Sequence, residues 1–280
     1  MNFRKISILG VGLMGGSLAL ALKEKFPKIT LWGYARNKIS YEKLKRLNIV
    51  DVVSVSLEEV VRDSDLVILA SPIRVILKHL EEIGCFLKEG AIVMDLGSVK
   101  KIIMDRAKKC LPKNVSFVGC HPLCGSEKKG AFNANKDLYK NSLCVITSFN
   151  ASSQIIKEFW ESLGSKVYFL KPSLHDRILS DISHLPHILS FSLTELVSLK
   201  EMNFASGSFR DVTRISSSPS EVWVDIFIYN RKNIINSIER YIKILRWFTQ
   251  RIKESNEEEL FYKIKKINKK IGKLGVSHYL

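Results

Sequence analysis

The stretch Lys5-Ile6-Ser7-Ile8-Leu9-Gly10-Val11-Gly12-Leu13-Met14-Gly15-Gly16-Ser17 runs straight into Leu18-Ala19-Leu20-Ala21-Leu22-Lys23. A short apolar run, a glycine-rich turn and a longer apolar segment read as strand, turn and helix. The spacing Gly10-x-Gly12-x-x-Gly15 has a steric and an electrostatic reason. Gly10 permits a tight turn, Gly12 lets a pyrophosphate approach the backbone, and Gly15 lets the helix pack on the strand. The helix N-terminus then faces the phosphates with unpaired N–H groups. Leu13 and Met14 sit in the same turn and are expected to touch the ligand, so a dinucleotide is expected here.

Outward from this unit the alternation continues. Ile29 to Tyr34 reads as a second strand, followed by Ala35-Arg36-Asn37. A cofactor without a 2′-phosphate usually meets an acid at this point, and none is present. Arg36 suits an adenine face or a 2′-phosphate, which leaves NAD and NADP both open. A short helix follows, Ser56 to Val61, with Ser56 as its cap. Asp65 to Ala70 is a buried strand ending at Ser71-Pro72, and Ile73 to Ile83 has helical spacing. Ala91 to Asp95 is a strand, Ile102 to Cys110 a helix, and Val115 to Gly119 the next strand. Leu143 to Thr147 and Val167 to Leu170 are two more strands, around a helix from about Ser152 to Leu163. Strands alternating with helices predict an α/β domain with a doubly wound, mostly parallel sheet.

Ligands bind such sheets at the carboxyl ends of the strands. Ser71 and Pro72, Ser98, and His121 all follow strands on that edge. The stretch Gly119-Cys120-His121-Pro122-Leu123-Cys124-Gly125-Ser126-Glu127 reads as a turn stiffened by proline, carrying a histidine able to act as acid or base. No Gly-x-Ser-x-Gly elbow occurs, which argues against a hydrolase. Cys120, His121 and Cys124 have no second ligand pair at zinc spacing, so no metal is expected.

After Lys171-Pro172 the strand signal stops. Leu174 to Leu199, Glu221 to Lys253 and Glu257 to Ile271 read as helix. This predicts a dinucleotide-binding domain over residues 1–171 and an all-helical domain over 172–280. The segment from Val222 to Phe248 is apolar on several sides, which suits a bundle interior or a dimer interface. Two clusters stand out: Ser183-His184-Leu185-Pro186-His187, and Phe209-Arg210-Asp211-Val212-Thr213-Arg214. Arg214 is a fork suited to a carboxylate.

The 280 residues carry a formal charge of +16 and five cysteines without a Cys-x-x-Cys pair. No apolar run reaches the roughly 18 residues that span a bilayer, so no membrane association is expected. The N-terminus has no secretory core, and cytoplasmic residence with reduced thiols is expected. Basic residues are spread along the chain without interleaved aromatics, so nucleic acid is not an expected partner.

Together, Gly10-x-Gly12-x-x-Gly15-Gly16-Ser17, Asp95-x-Gly97-Ser98-Val99-Lys100, His121-Pro122-x-x-Gly125-Ser126-Glu127, Ser183-His184-Leu185-Pro186-His187 and Asp211-x-Thr213-Arg214-Ile215 resemble the prephenate/arogenate dehydrogenase family. Trp223, nine residues after Arg214, also fits. The resemblance spans about residues 4 to 250. It implies a Rossmann-type domain followed by a helical dimerisation domain, and a homodimer. It further implies oxidative decarboxylation of a small molecule, prephenate or arogenate, with NAD or NADP. An enzyme accepting both substrates, a cyclohexadienyl dehydrogenase, is the related alternative.

Carried over to this chain, the resemblance makes His121 the catalytic histidine, with Ser98 orienting it. Arg214 would hold a substrate carboxylate and His187 the substrate side chain. Glu127 and Asp211 would make polar contacts with Arg214 near the entrance. Ser126 and His184 would complete the substrate side. Gly10, Gly12, Leu13, Met14, Gly15, Arg36, Ser71 and Pro72 would hold the cofactor. Cys124 stands where the family usually has alanine, and Ala35 where it commonly has an acid. A β-hydroxyacid or imine dehydrogenase of similar plan would typically bring a lysine from a helix of the second domain, and no equivalent signature is present. A redox-sensing DNA binder would leave both histidine-proline clusters without a use.

Overall fold

Four strands of near-continuous apolar sequence set up the centre of a sheet. In the computed structural model, which describes residues 3–125 and 128–272, these are β1 (Lys5–Leu9), β4 (Leu66–Leu69), β5 (Ile92–Asp95) and β6 (Ser116–Leu123). Every residue of β4 and β5 is buried, as expected for parallel strands covered on both faces. The remaining strands are β2 (Thr30–Tyr34), β3 (Val52–Ser54), β7 (Leu143–Ile146) and β8 (Lys166–Phe169). The order across the sheet is β3-β2-β1-β4-β5-β6-β7-β8. All neighbours are parallel except β6 and β7. The chain thus winds outward from β1 in both directions, and the strand order reverses beside β1.

The helices of this part are α1 (Leu13–Lys25), α2 (Lys38–Leu47), α3 (Leu57–Val61), α4 (Ile73–Glu82), α5 (Lys101–Cys110) and α6 (Ala151–Ser162). Asn37 caps α2 and Ser56 caps α3 through side-chain oxygens that accept backbone N–H groups three residues on. The core under the sheet joins β1 and α1 to Phe159 and Trp160 of α6.

One expectation is corrected here. His121 and Pro122 lie in a strand, and the chain does not turn at Gly119. β6 pairs with β5 only as far as Asp95 and Gly119, but runs on to Leu123. Cys120 to Leu123 pair antiparallel with β7, His121 opposite Val145 and Pro122 opposite Cys144. This overshoot has a strand on one side only, an edge position in which proline's missing N–H is tolerated. Lys100 fastens it from below: its buried ammonium bonds the Asp95 carboxylate and donates to the Cys120 carbonyl at 2.5 Å.

Helices α7 (Pro172–Leu179), α8 (Leu185–Leu196), α9 (Gly207–Thr213) and α10 (Ser220–Tyr229) follow. The helix expected from Leu174 to Leu199 ends at Leu196 and is interrupted by a π turn over Ser180–His184. The Leu185 N–H there donates to the carbonyl of Ser180, five residues back. Pro186 lies one residue further on. It has no N–H to donate and its ring crowds the preceding turn, which explains the widened helix. The helix expected from Glu221 to Lys253 breaks at Asn230. α7 packs on α5 and α10 on α4, and by compactness Met1–Arg231 forms one unit. The second unit, Lys232–Leu280, contains the rest of α11 (Arg231–Lys253) and α12 (Glu257–Gly272). Within it, Arg251 pairs with Glu254 and Glu259, and Lys263 lies over the Trp247 ring. Its lysine pairs at 265–266 and 269–270 are exposed.

Candidate active site

A cavity of about 1030 Å³ lies at the carboxyl ends of the central strands. Its first wall is the glycine loop. Gly10 has φ +107°, and a Cβ there would sit 2.5 Å from Ser71 Oγ and 2.7 Å from the Ala70 carbonyl carbon. A Cβ on Gly15 would lie 2.3 Å from the Gly10 carbonyl oxygen, so only glycine lets α1 sit this close to β1. Gly12 differs: nothing lies within 4 Å of the position a Cβ would take. That open space is the room a pyrophosphate needs. The N-terminus of α1 beside it has neither a side-chain cap nor an acid in its first turn. This uncapped, uncharged start suits an anionic group. Leu13, Met14, Ser71 and Pro72 line the same wall, and Arg36 reaches it from the end of β2. Ser71 Oγ donates to the Leu9 carbonyl at 3.1 Å, joining the ends of β1 and β4. These residues fit a dinucleotide.

The opposite end holds the titratable groups. Ser98, at the end of β5, and His121, on the β6 overshoot, both line the cavity. No hydrogen bond joins the two among the described residues. His121 Nδ1 instead meets His175 Nε2 of α7 at 2.8 Å, with the ring planes 65° apart. α7 approaches β6 closely enough to fill that position. His175 is fully buried, and its Nδ1 meets Asp176 Oδ1 at 2.8 Å. The Asp176 carboxylate also accepts the backbone N–H groups of Lys100 at 2.7 Å and Lys101 at 2.9 Å, and so caps α5. Burial, with His175, the Lys100 ammonium and His184 nearby, holds the pKa of His121 well below the ordinary histidine value. Burial lowers that of His175 too, partly offset by Asp176. Both imidazoles are neutral at neutral pH.

His184 and His187 enter from the π turn and α8. Asn230 holds His184 Nδ1 at 3.1 Å and also donates to the Asp176 carbonyl at 2.8 Å. Burial pushes His184 down to about 4. His187 stacks on Trp223 of α10, with centroids 3.5 Å apart and planes 23° apart. Its pKa is lowered by burial and by the charge of Arg214. Arg214, in the turn after α9, is exposed and lines the cavity, with no ion pair among the described residues. Asp211 is exposed on α9 outside the cavity lining, and the contact expected with Arg214 is not made. Ser126 and Glu127 lie outside the described residues. Cys124 lines the cavity as a thiol pushed up to about 11 by burial, while Cys120 and Cys144 pack in the core.

The sequence reading missed His175 and Asp176. The only signal was an adjacent His-Asp pair nine residues before His184, within one helical segment.

The chain matches the family profile "Prephenate dehydrogenase, nucleotide-binding domain" over residues 18–169. It matches "Prephenate dehydrogenase, dimerization domain" over residues 171–266. It is 32% identical to the prephenate dehydrogenase of Bacillus subtilis over 274 residues, covering 93% of this chain and 74% of that protein. The cyclohexadienyl dehydrogenase of Zymomonas mobilis is 30% identical over 255 residues, 87% of each chain. Among solved structures, prephenate dehydrogenase from A. aeolicus in complex with hydroxyphenyl propionate and NAD+ superimposes with a TM-score of 0.90. That match is 31% identical and covers 98% of this chain and 99% of the other. A glycine cradle open at Gly12, a neutral histidine facing it across one cavity and these matches along nearly the whole chain have one common explanation: the protein belongs to the prephenate dehydrogenase family.

Proposed function

We propose that the protein catalyses oxidative decarboxylation of prephenate to 4-hydroxyphenylpyruvate with NAD+ or NADP+, in tyrosine biosynthesis. The observation that carries this reading is His121: a neutral imidazole with Nδ1 engaged, in the cavity that also holds the glycine loop and Arg214. The substrate ring bears a hydroxyl and a hydrogen on C4 and a carboxylate on C1. A dinucleotide held at the glycine loop, Ser71 and Pro72 would supply the acceptor for the C4 hydrogen as hydride. His121 Nε2 accepts the hydroxyl proton while C4 becomes a carbonyl, a general-base contribution typically of about 10²–10⁴-fold. The bond from C1 to its carboxylate then breaks and CO2 leaves. The electron pair passes through the ring to the C4 oxygen, which takes the proton back from His121. The ring is now aromatic and His121 is restored.

The other residues bind and orient. Arg214 holds a substrate carboxylate through its guanidinium fork. The His187–Trp223 stack receives the side chain, with His184 behind it. Ser98 meets the ring hydroxyl. Ser126 and Glu127 keep the substrate-side roles that the resemblance implies. The division into residues 1–171 and 172–280 belongs to this reading, supported by family spans that meet between 169 and 171. So does a homodimer, supported by exposed Ile235, Ile242 and Leu245 on α11 and Phe261 and Ile264 on α12. Cytoplasmic residence is supported by five unpaired cysteines.

The test is an assay of prephenate and arogenate, each with NAD+ and NADP+, following reduced nicotinamide absorbance, on the wild type and His121→Asn. The variant is expected to bind both ligands with kcat down by about 10²–10⁴-fold. Near-normal turnover removes His121 as the base. Wild-type enzyme inert with prephenate in both cofactor arms overturns the reading, and turnover of arogenate alone reassigns the substrate.

A further inference from the structure

Behind His121, which lines the cavity, stand two residues that no role above uses, His175 and Asp176. We infer that His175, anchored by Asp176, is a positioning residue that fixes which nitrogen of His121 is free to take a proton. This rests on the reading of His121 as the base.

The argument is a count of donors and acceptors. Asp176 Oδ1 accepts the Lys100 N–H at 2.7 Å, and Oδ2 accepts the Lys101 N–H at 2.9 Å. These N–H groups open α5, whose N-terminus favours a negative charge. A carboxylate in that setting is an acceptor only. The nitrogen of His175 that faces Oδ1 at 2.8 Å must therefore carry the hydrogen. In a neutral imidazole the other nitrogen is then bare. That nitrogen, His175 Nε2, stands 2.8 Å from His121 Nδ1 and can only accept. His121 must therefore hold its hydrogen on Nδ1, and its Nε2 is left as a base. Orientation passes from the cap of α5 to the reacting nitrogen across a contact between residues 54 apart in the chain.

The surroundings agree. The groups facing the two rings are the Lys100 ammonium below β6, His184 from the π turn, and Asp95 and Asp176. Burial above all, joined by the Lys100 charge, disfavours a proton on either imidazole against the pull of Asp176 on His175, so the pair rests neutral. When His121 takes the substrate proton, its Nδ1–H points at His175 with Asp176 behind, and the new positive charge has an oriented acceptor. His175 is 0% exposed and never meets the substrate.

The test combines imidazole nitrogen NMR on the ¹⁵N-histidine-labelled protein with steady-state kinetics. The chain has only six histidines, so single substitutions assign each signal. The wild type is expected to show His121 as the Nδ1–H tautomer at neutral pH. In Asp176→Asn the amide can donate to His175, reversing both rings. His121 is then expected in the Nε2–H form, with kcat down about 10²-fold or more and KM nearly unchanged. His175→Ala is expected to lose kcat similarly. His175→Gln, whose amide oxygen can accept the Nδ1–H of His121, is expected to recover most of it. A wild-type His121 found as the Nε2–H tautomer overturns the inference whatever the kinetics. So does near-normal kcat in His175→Ala. Loss of packing alone would lower thermal stability without reversing the tautomer. If the wild type oxidises neither prephenate nor arogenate, the functional reading falls, and the tautomer spectrum still decides the positioning.

Discussion

Asp225 of α10 is bound through three nitrogens of one residue, Arg74 of α4. The backbone N–H of Arg74 donates to it at 3.1 Å, Nε at 2.6 Å, and a terminal guanidinium nitrogen lies at 2.5 Å. The carboxylate is 1% exposed. α4 begins beside Pro72 on the cofactor wall and α10 carries Trp223, so this pair joins the two ends of the cavity. Removing only the guanidinium strands a buried charge, whereas removing both partners does not. Arg74→Ala is therefore expected to unfold at a lower temperature than the double variant Arg74→Ala/Asp225→Ala. Calorimetry that ranks them the other way would reject the pair as the tie.

Arg36 is exposed, lines the cavity, and follows the buried Ala35 at the end of β2. Only a 2′-phosphate places a negative charge at that end of a dinucleotide. Arg36→Ala is expected to raise KM for NADP+ by about 10-fold, the loss of one charge-assisted contact, and to leave KM for NAD+ within about 2-fold. Equal effects on both would show that Arg36 serves the adenine face alone.

His184 makes stability depend on pH. It is 1% exposed and held neutral, with its pKa lowered from 6.5 to about 4. The unfolded chain binds this proton near 6.5 and the folded chain near 4, so the unfolded state holds more protons between those values. Stability therefore rises with pH across that window and is lost as pH falls through it. The lowered values of His121 and His175 act in the same direction. From pH 7.5 to pH 5 the loss from His184 alone is roughly 2 kcal/mol. Urea unfolding at the two values measures it, and His184→Gln should flatten the difference.

Arg214 bears on binding more than on chemistry. Its side chain is exposed at the cavity and spends nothing on structure among the described residues. Arg214→Ala is expected to raise KM for prephenate by about 10–100-fold, the loss of a bidentate charge-assisted contact, with kcat changed less. The melting temperature should hold steady. An unchanged KM would remove Arg214 from the binding site.

The parts of the fold that could be read from sequence are those whose pattern is local. β1, the glycine turn and α1 announce themselves, and β4 and β5 do because burial on both faces makes them uninterrupted apolar runs. β3 does not. It is a three-residue strand at the sheet edge with a half-buried start, too short for any period to show. The continuation of β6 was hidden because Pro122 and Gly125 are turn residues by local chemistry, and the antiparallel partner that overrides them, β7, starts twenty residues after Leu123. Within the site, Ser98, His121, His187 and Arg214 share one cavity, as their motifs suggested. His175 was illegible for a different reason. Nothing in Leu174-His175-Asp176 distinguishes an ordinary helical turn from one whose imidazole reaches another histidine, because that contact exists only after folding.

The π turn at Ser180–His184 has a consequence for how this pocket can change. His175 and His187 are twelve residues apart. An unbroken α-helix would leave them about 120° apart around its axis, and the one extra residue of a π turn brings that to about 20°. The phasing of the two histidines thus depends on the π turn, which Pro186 favours. Deleting one residue and closing the turn to an unbroken α-helix would leave the two histidines eleven residues apart, again about 20°, whereas closing the turn with every residue kept would swing His187 onward by about 100°. The segment works as a phase setter, and a substitution at Pro186 that let the turn close to an α-helix would misalign the two histidines without touching either.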